Sequence, residues 1–120
     1  MAKTVLIIDD DRTLVCALSR HLQQQGFRTL SAFNGVDGLT KARASRPDLI
    51  TLDVVMPELN GYSVCGFLRT DALLYNVPII MVTSRREEHD SAFYGRFAPD
   101  VFLTKPVGMD EIAEKIRALI

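Results

Sequence analysis

Three consecutive aspartates, Asp9, Asp10 and Asp11, end the apolar run Val5–Ile8 in the stretch VLIIDDDRT. Adjacent like charges repel, and carboxylates at the end of a buried strand are costly to desolvate. Other polar residues occupy the same kind of place. Asp53 closes the apolar run of DLITLD, Thr83 and Ser84 close that of VPIIMVTS, and Lys105, followed by Pro106, closes that of DVFLTK. If a fold gathers these run-ends, its carboxylates stay ionised together only when a positive charge joins them. Oxygen-only ligands that leave room for bound water suit Mg²⁺, or Mn²⁺ in its place. Lys105 adds a point charge, and Thr83 and Ser84 add hydroxyl or backbone donors. A cation, an ammonium and small donors about one carboxylate suit a phosphoryl group. A carboxylate can itself attack phosphorus, giving an acyl phosphate.

The elements that must position these residues follow from the hydrophobic pattern. Strands are expected over TVLIID, FRTLSA, DLITLD, VPIIMVTS and DVFLTK. Leu14, Leu18 and Leu22 recur at a spacing of four residues, which marks one face of a helix closed at Gly26. Further helices are expected over GVDGLTKARAS before Pro47, over GYSVCGFLRT, over REEHDSAFYGRF (residues 86–97) and over MDEIAEKIRALI. Strands written as unbroken apolar runs are buried on both faces, which requires a parallel sheet covered by helices. The expectation is therefore an α/β, doubly wound (βα)₅ sandwich of flavodoxin-like type, with the strand order 2-1-3-4-5 chosen among those that alternation permits. In that order the crevice at the carboxyl ends of strands 1 and 3 is the ligand site.

The totals narrow the function classes. The chain has 120 residues, enough for one domain, with 48% hydrophobic and 24% charged residues and a net charge of −1. No bulk charge or basic patch with interleaved aromatics points to direct nucleic-acid binding. No apolar run approaches a membrane span and no signal peptide precedes the first strand, so a cytoplasmic location with reduced thiols is expected. Cys16 and Cys65 have no metal-type spacing and are expected as small core residues. His21 and His89, on polar helix faces, are expected to be solvated.

The set DD, LDVVMPELNGY, MVTS and LTKP, in this order and spacing, resembles the receiver domain of two-component response regulators, of the chemotaxis-regulator type, over the whole chain. The resemblance implies a single receiver domain over residues 1–120 with no output domain in this sequence. It implies a phosphorylation-activated switch, not an enzyme beyond its own phosphorylation and autodephosphorylation. Asp53 would be the phosphoacceptor. Asp10 would bind the metal directly, Asp9 through a metal-bound water, and the Val55 backbone carbonyl would complete the protein ligands with Asp53. Thr83, Ser84 and Lys105 would bind phosphoryl oxygens, and Thr83 and Phe102 would switch together. Pro57 and Gly61 would shape the loop after the acceptor, and Lys105–Pro106 would be cis. Val55 and Arg85, two past the acceptor and two past the threonine, would flank the path of hydrolytic water. The implied partners are a sensor histidine kinase or histidine phosphotransfer protein, and a downstream protein target or a covalently linked output domain, with the receiver a monomer or a phosphorylation-dependent dimer.

Other readings of the same residues exist. Asp11, or Asp9, suits the N-cap of the first helix. Phe102 taken alone is a core residue, Lys105 a solvated one, and RREEHD an exposed helix start. An aspartyl phosphohydrolase would need an acid two residues past its nucleophile, where Val55 stands. A pseudo-receiver would not need the intact set of acids, threonine and lysine, and an acid triplet would repel the FMN phosphate of a flavodoxin. Two features depart from the family pattern. Ala98 and Pro99 replace a common Gly-Ala, and proline there stiffens the entry to the last strand. Phe93, Tyr94 and Phe97 crowd a fourth helix whose interior holds Gly95, so that helix is expected to be short or displaced.

Overall fold

The computed structural model describes residues 2–84 and 97–120. Five strands, β1 (Thr4–Ile8), β2 (Arg28–Ala32), β3 (Leu49–Leu52), β4 (Ile79–Thr83) and β5 (Val101–Thr104), form one parallel sheet in the order β2-β1-β3-β4-β5. Four helices are described, α1 (Arg12–Gln24), α2 (Gly35–Ser45), α3 (Gly61–Thr70) and α4 (Met109–Leu119). The helix expected over 86–97 falls outside the described residues for nearly all its length, as do Arg85, His89, Phe93, Tyr94 and Gly95.

The sheet is buried on both sides because its strands carry apolar residues at odd and even positions alike. Leu6, Ile8, Ile50, Leu52, Ile79 and Met81 face one core with Ala42 of α2 and Val64, Cys65 and Leu68 of α3. Val5, Ile7, Leu49, Ile80, Val82 and Leu103 face the other with Val15, Leu18 and Leu22 of α1 and Ile112, Ala113 and Ile116 of α4. This two-sided burial is what the unbroken apolar runs require of a doubly wound fold.

The helix boundaries have local causes. Asp11 caps α1 by accepting a hydrogen bond from the Leu14 N–H at 3.2 Å, Asn34 caps α2 through Asp37, and Asn60 caps α3 through Ser63. Gly26, with φ of +93°, turns the chain out of α1 in a conformation that L side chains rarely adopt. The helical stripe on α1 is rotated slightly from the leucine spacing. Val15, Leu18 and Leu22 are buried, whereas Leu14 is only partly covered.

Two expectations about side chains are corrected. Cys16 is exposed, not a core residue, because it lies one residue, about 100° of helix, past buried Val15. Cys65 is buried as expected, and its Sγ donates to the Phe97 carbonyl at 3.1 Å. His21 is half-buried, not simply solvated. Its Nε2 lies 3.1 Å from an Asp110 carboxylate oxygen on α4 and 2.9 Å from the Gln25 amide nitrogen, because α1 and α4 pack side by side.

Candidate functional site: an acidic cluster at the carboxyl edge of the sheet

β1 and β3 are neighbours in the sheet, so the residues that follow them emerge side by side. The Asp9 N–H donates to the Ala32 carbonyl and the Asp53 N–H to the Ile8 carbonyl, each at 3.1 Å. These ladder bonds fix the backbones from which the two carboxylates project. Asp9 is 4% exposed and Asp53 5% exposed, whereas Asp10 faces solvent. Asp9, Asp10 and Asp53 each offer an oxygen within 4.8 Å of the others.

Lys105 reaches the pair from the far side of the sheet. Its Nζ donates to one Asp9 oxygen at 2.9 Å and lies 3.6 Å from an Asp53 oxygen. The other Asp9 oxygen accepts the Asp11 N–H at 2.9 Å. Asp9 thus ties the start of α1 to the end of β5 by its two oxygens. The Lys105 N–H donates to the Thr83 carbonyl at 2.9 Å, and the Lys105–Pro106 bond is cis, as expected. Thr83 itself is fully buried at the end of β4.

The electrostatics follow from burial and crowding. Burial, reinforced by the nearby Asp9 charge, pushes the Asp53 carboxyl up to about 6, against the pull of Lys105 and of the Val55 and Val54 N–H groups that bond to it. For Lys105, burial alone would lower the ammonium. The Asp9 hydrogen bond and the Asp53 and Asp9 charges outweigh it and raise the group above its ordinary value. Three carboxylates against one ammonium leave an excess of negative charge in a set of oxygen donors, which fits a hard divalent cation.

The loop after β3 is held tightly. The Gly61 N–H donates to the Val54 carbonyl at 3.0 Å, and a Cβ on Gly61 would stand 2.2 Å from the Asp53 carbonyl oxygen. Only glycine allows α3 to start this close to the Asp53 backbone. Glu58, in the same loop, takes a φ of +68°. Val55 is 45% exposed beside Asp53.

A family model described as the response regulator receiver domain matches residues 5–117. The chain belongs to that family. The receiver is 35% identical over 120 residues to the alkaline phosphatase synthesis transcriptional regulatory protein PhoP of Bacillus subtilis, covering 100% of this chain and 49% of PhoP. It is 36% identical to Protein PilH of Pseudomonas aeruginosa, covering 97% of this chain and 96% of PilH. The receiver therefore spans about half of one relative and nearly all of the other. Among solved structures, Vibrio cholerae chemotaxis protein CheY4 superposes with a TM-score of 0.92 over the full length of both chains at 24% identity, a likeness of fold. The receiver domain of a signal transduction histidine kinase from Syntrophus aciditrophicus superposes with a TM-score of 0.88 at 31% identity, covering 98% of this chain and 89% of that one.

The receiver fold brings Asp9, Asp10, Asp53 and Lys105 together and sets Thr83 beside them through the Lys105 backbone. Ser84 is exposed and lines, with Lys105, Pro106, Val107, Leu14 and Asp11, a depression of about 410 Å³ next to the cluster. Phe102 sits two residues nearer the start of β5 than Thr104, pairs in register with Met81 and is partly buried against the core that faces α3. Sequence reasoning missed two features. One is the direct Asp9–Lys105 contact, which joins residues far apart in sequence. The other is the apolar rim of Leu14 and Val107, whose only signal was a leucine stripe that begins at the first turn of α1.

Proposed function

We propose that this receiver is a phosphorylation-activated signalling switch that accepts a phosphoryl group on Asp53. The observation that carries the reading is the lysine bridge, with Lys105 Nζ 2.9 Å from Asp9 and 3.6 Å from Asp53, at the mouth of a buried acidic cluster. Asp53 Oδ forms the new bond to phosphorus while the bond from phosphorus to the donor nitrogen breaks, leaving a neutral donor imidazole once it is free of the phosphoryl group. Lys105 leaves one of its carboxylate partners to hold a phosphoryl oxygen, and Thr83 and Ser84 donate to others. Asp9, Asp10, Asp53 and the Val55 carbonyl are the residues that would hold Mg²⁺ or Mn²⁺, which when bound offsets the charge of the phosphoryl oxygens. Buried Thr83 moves toward the new phosphate, and partly buried Phe102 follows it inward, altering the surface that a partner reads.

The donor in this reading is a sensor histidine kinase or a histidine phosphotransfer protein, and the depression walled by Leu14, Pro106 and Val107 gives it an apolar seat beside Lys105. The recipient of the signal is a downstream protein or a covalently linked output domain, in the cytoplasm. No described helix is long and apolar enough to cross a membrane. Turnover is limited to phosphorylation of Asp53 and its reversal, within a single receiver domain over residues 1–120.

The test is intact mass after incubation with acetyl phosphate and Mg²⁺. One added phosphoryl group is expected, absent in Asp53→Asn and absent with EDTA. An unmodified wild-type chain, or modification that survives Asp53→Asn, refutes the assignment. NMR with beryllofluoride tests the switch. Unshifted Thr83 and Phe102 resonances refute it.

A further inference from the structure

Asp9, Thr51, Asp53 and Thr83 are the buried polar or charged residues among those described. Three of them stand at or just past strand ends, by the acidic cluster. Thr51 stands inside β3, two residues before Asp53, and is 3% exposed. Its neighbours in register are Ile7 on β1 and Ile80 on β4, and neither side chain can bond a hydroxyl. Among the described residues no other group is bonded to that hydroxyl. A buried hydroxyl without a partner is costly, and valine fills the same space without that cost.

Thr51 borders a place where a partner fits. A cavity of about 10 Å³ lies under the cluster, on the side of the sheet that α1 and α4 cover. Thr51, Asp9 and Asp53 line it, and Leu18, Val82 and Ile112 stand among its apolar walls. That volume is about what one water molecule needs, and a buried water is held where several polar groups converge. The two carboxylates have acceptor capacity to spare. Asp9 takes the Asp11 N–H on one oxygen and Lys105 on the other. Asp53 takes the Val54 and Val55 N–H groups, with Lys105 Nζ at 3.6 Å. Each ionised carboxylate offers about four acceptor sites, so both have room for another donor.

We infer that Thr51 holds one internal water beneath the acidic cluster and, through it, positions the Asp53 carboxylate. The water donates one hydrogen to Asp9 and one to Asp53, and it accepts from the Thr51 hydroxyl. That gives it about three hydrogen bonds, the usual number for a buried water. It sets the positive end of each O–H dipole against one of two carboxylates that repel each other, without adding a charge. Asp53 is then held from below by the water, from its own loop by two N–H groups and from across the sheet by Lys105. A carboxylate fixed on three sides keeps its orientation toward an incoming group, and that orientation lowers the barrier to attack. The positioning role rests on the reading of Asp53 as the phosphoacceptor, whereas the water site stands on the cavity and its lining alone.

Water ¹⁷O relaxation dispersion of the metal-free chain counts long-lived internal waters, and a high-resolution crystal structure locates them. Both are applied to the wild type, Thr51→Val and Thr51→Ser. Valine keeps the shape and strand preference of threonine, so the fold is retained, which far-UV circular dichroism verifies. The wild type and Thr51→Ser should hold one more internal water than Thr51→Val, placed between residue 51, Asp9 and Asp53. Labelling by acetyl phosphate with Mg²⁺, followed by intact mass over time, should slow by roughly 10-fold in Thr51→Val and recover in Thr51→Ser. A wild type with no water in the cavity, or an equal count in Thr51→Val, overturns the proposal. So does labelling of Thr51→Val at the wild-type rate, or slowing that Thr51→Ser does not reverse. A wild type that takes no label refutes the acceptor reading and the positioning role with it, while the water count still decides the site.

Discussion

Replacing Asp53 by asparagine should make the metal-free protein more stable at neutral pH while removing the proposed phosphoacceptor. The carboxyl is 5% exposed and titrates near 6, against 3.8 without the fold. The folded value is raised, so the sign is fixed. Below about pH 3 the group is neutral in both states and carries no penalty. As pH rises through 6, folding must hold a buried charge that the unfolded chain hydrates freely, and the penalty is complete above about pH 7. A shift of this size is worth about 3 kcal/mol. Sharing of the Lys105 charge with Asp9 reduces the expected gain to about 2–3 kcal/mol. At about 2.1 cal/mol/K per residue, that raises Tm by roughly 8–12 °C. The assay is urea unfolding of the wild type and Asp53→Asn in EDTA at pH 4 and 7.5. The variant should lead clearly at pH 7.5 and by little at pH 4. Millimolar Mg²⁺ should narrow the gap at pH 7.5 by stabilising the wild type. Equal stability at pH 7.5, or a gain that is the same at both pH values, refutes the electrostatic reasoning.

Gly61→Ala should cost about 1–3 kcal/mol, because its Cβ meets the Asp53 carbonyl and the Val54 Cα, which are backbone and do not yield cheaply; slower labelling by acetyl phosphate in the variant that still folds would show the acceptor displaced. Arg69→Met should cost roughly 2–3 kcal/mol in urea unfolding, since it removes charge-assisted bonds to Asp100 and to carbonyls at the entry of β4 and β5. Cys16 should react with a thiol reagent in the native protein. Cys65, buried and with its thiol pushed up to about 11, should react only on unfolding, a difference read by mass. Val55→Asn should shorten the lifetime of the aspartyl phosphate by about 10-fold, by offering a hydrogen bond to water beside Asp53 where valine offers none; an unchanged decay after donor removal counts against it.

The sheet was legible because parallel strands buried on both faces write themselves as apolar runs, and α2 because Pro47 closes its pattern, whereas the Asn34 and Asn60 caps emerge only in the structure. The gathering of Asp9, Asp10, Asp53 and Lys105 followed from the strand order, once that was chosen, since each residue ends its run. What escaped was set by rotation and by distance in sequence. Cys16 lies one residue from a buried position, and the leucine spacing did not say on which side of the stripe the core begins. His21 looked solvated because its partner, Asp110, stands on a helix that α1 meets only in the folded chain. The inward turn of Arg69 left no trace in local pattern, for its acceptors come from two loops that no periodicity connects.

The Asp9–Lys105 contact joins residues 96 positions apart, and that separation bears on how the protein is made. A chain emerging from the ribosome presents Asp9 and Asp53 long before Lys105 exists. Closing a loop of that length delays its contact relative to local helices. Until β5 docks, the two aspartates lack their internal counter-ion, and β1 and β3 can associate only against their mutual repulsion. Addition of β5 therefore relieves a charge conflict as well as extending the sheet, which favours an all-or-none last step. If Lys105 serves the proposed phosphoryl transfer to Asp53, that transfer reports that synthesis has passed Lys105, and a truncated or half-folded chain that carries Asp53 stays silent.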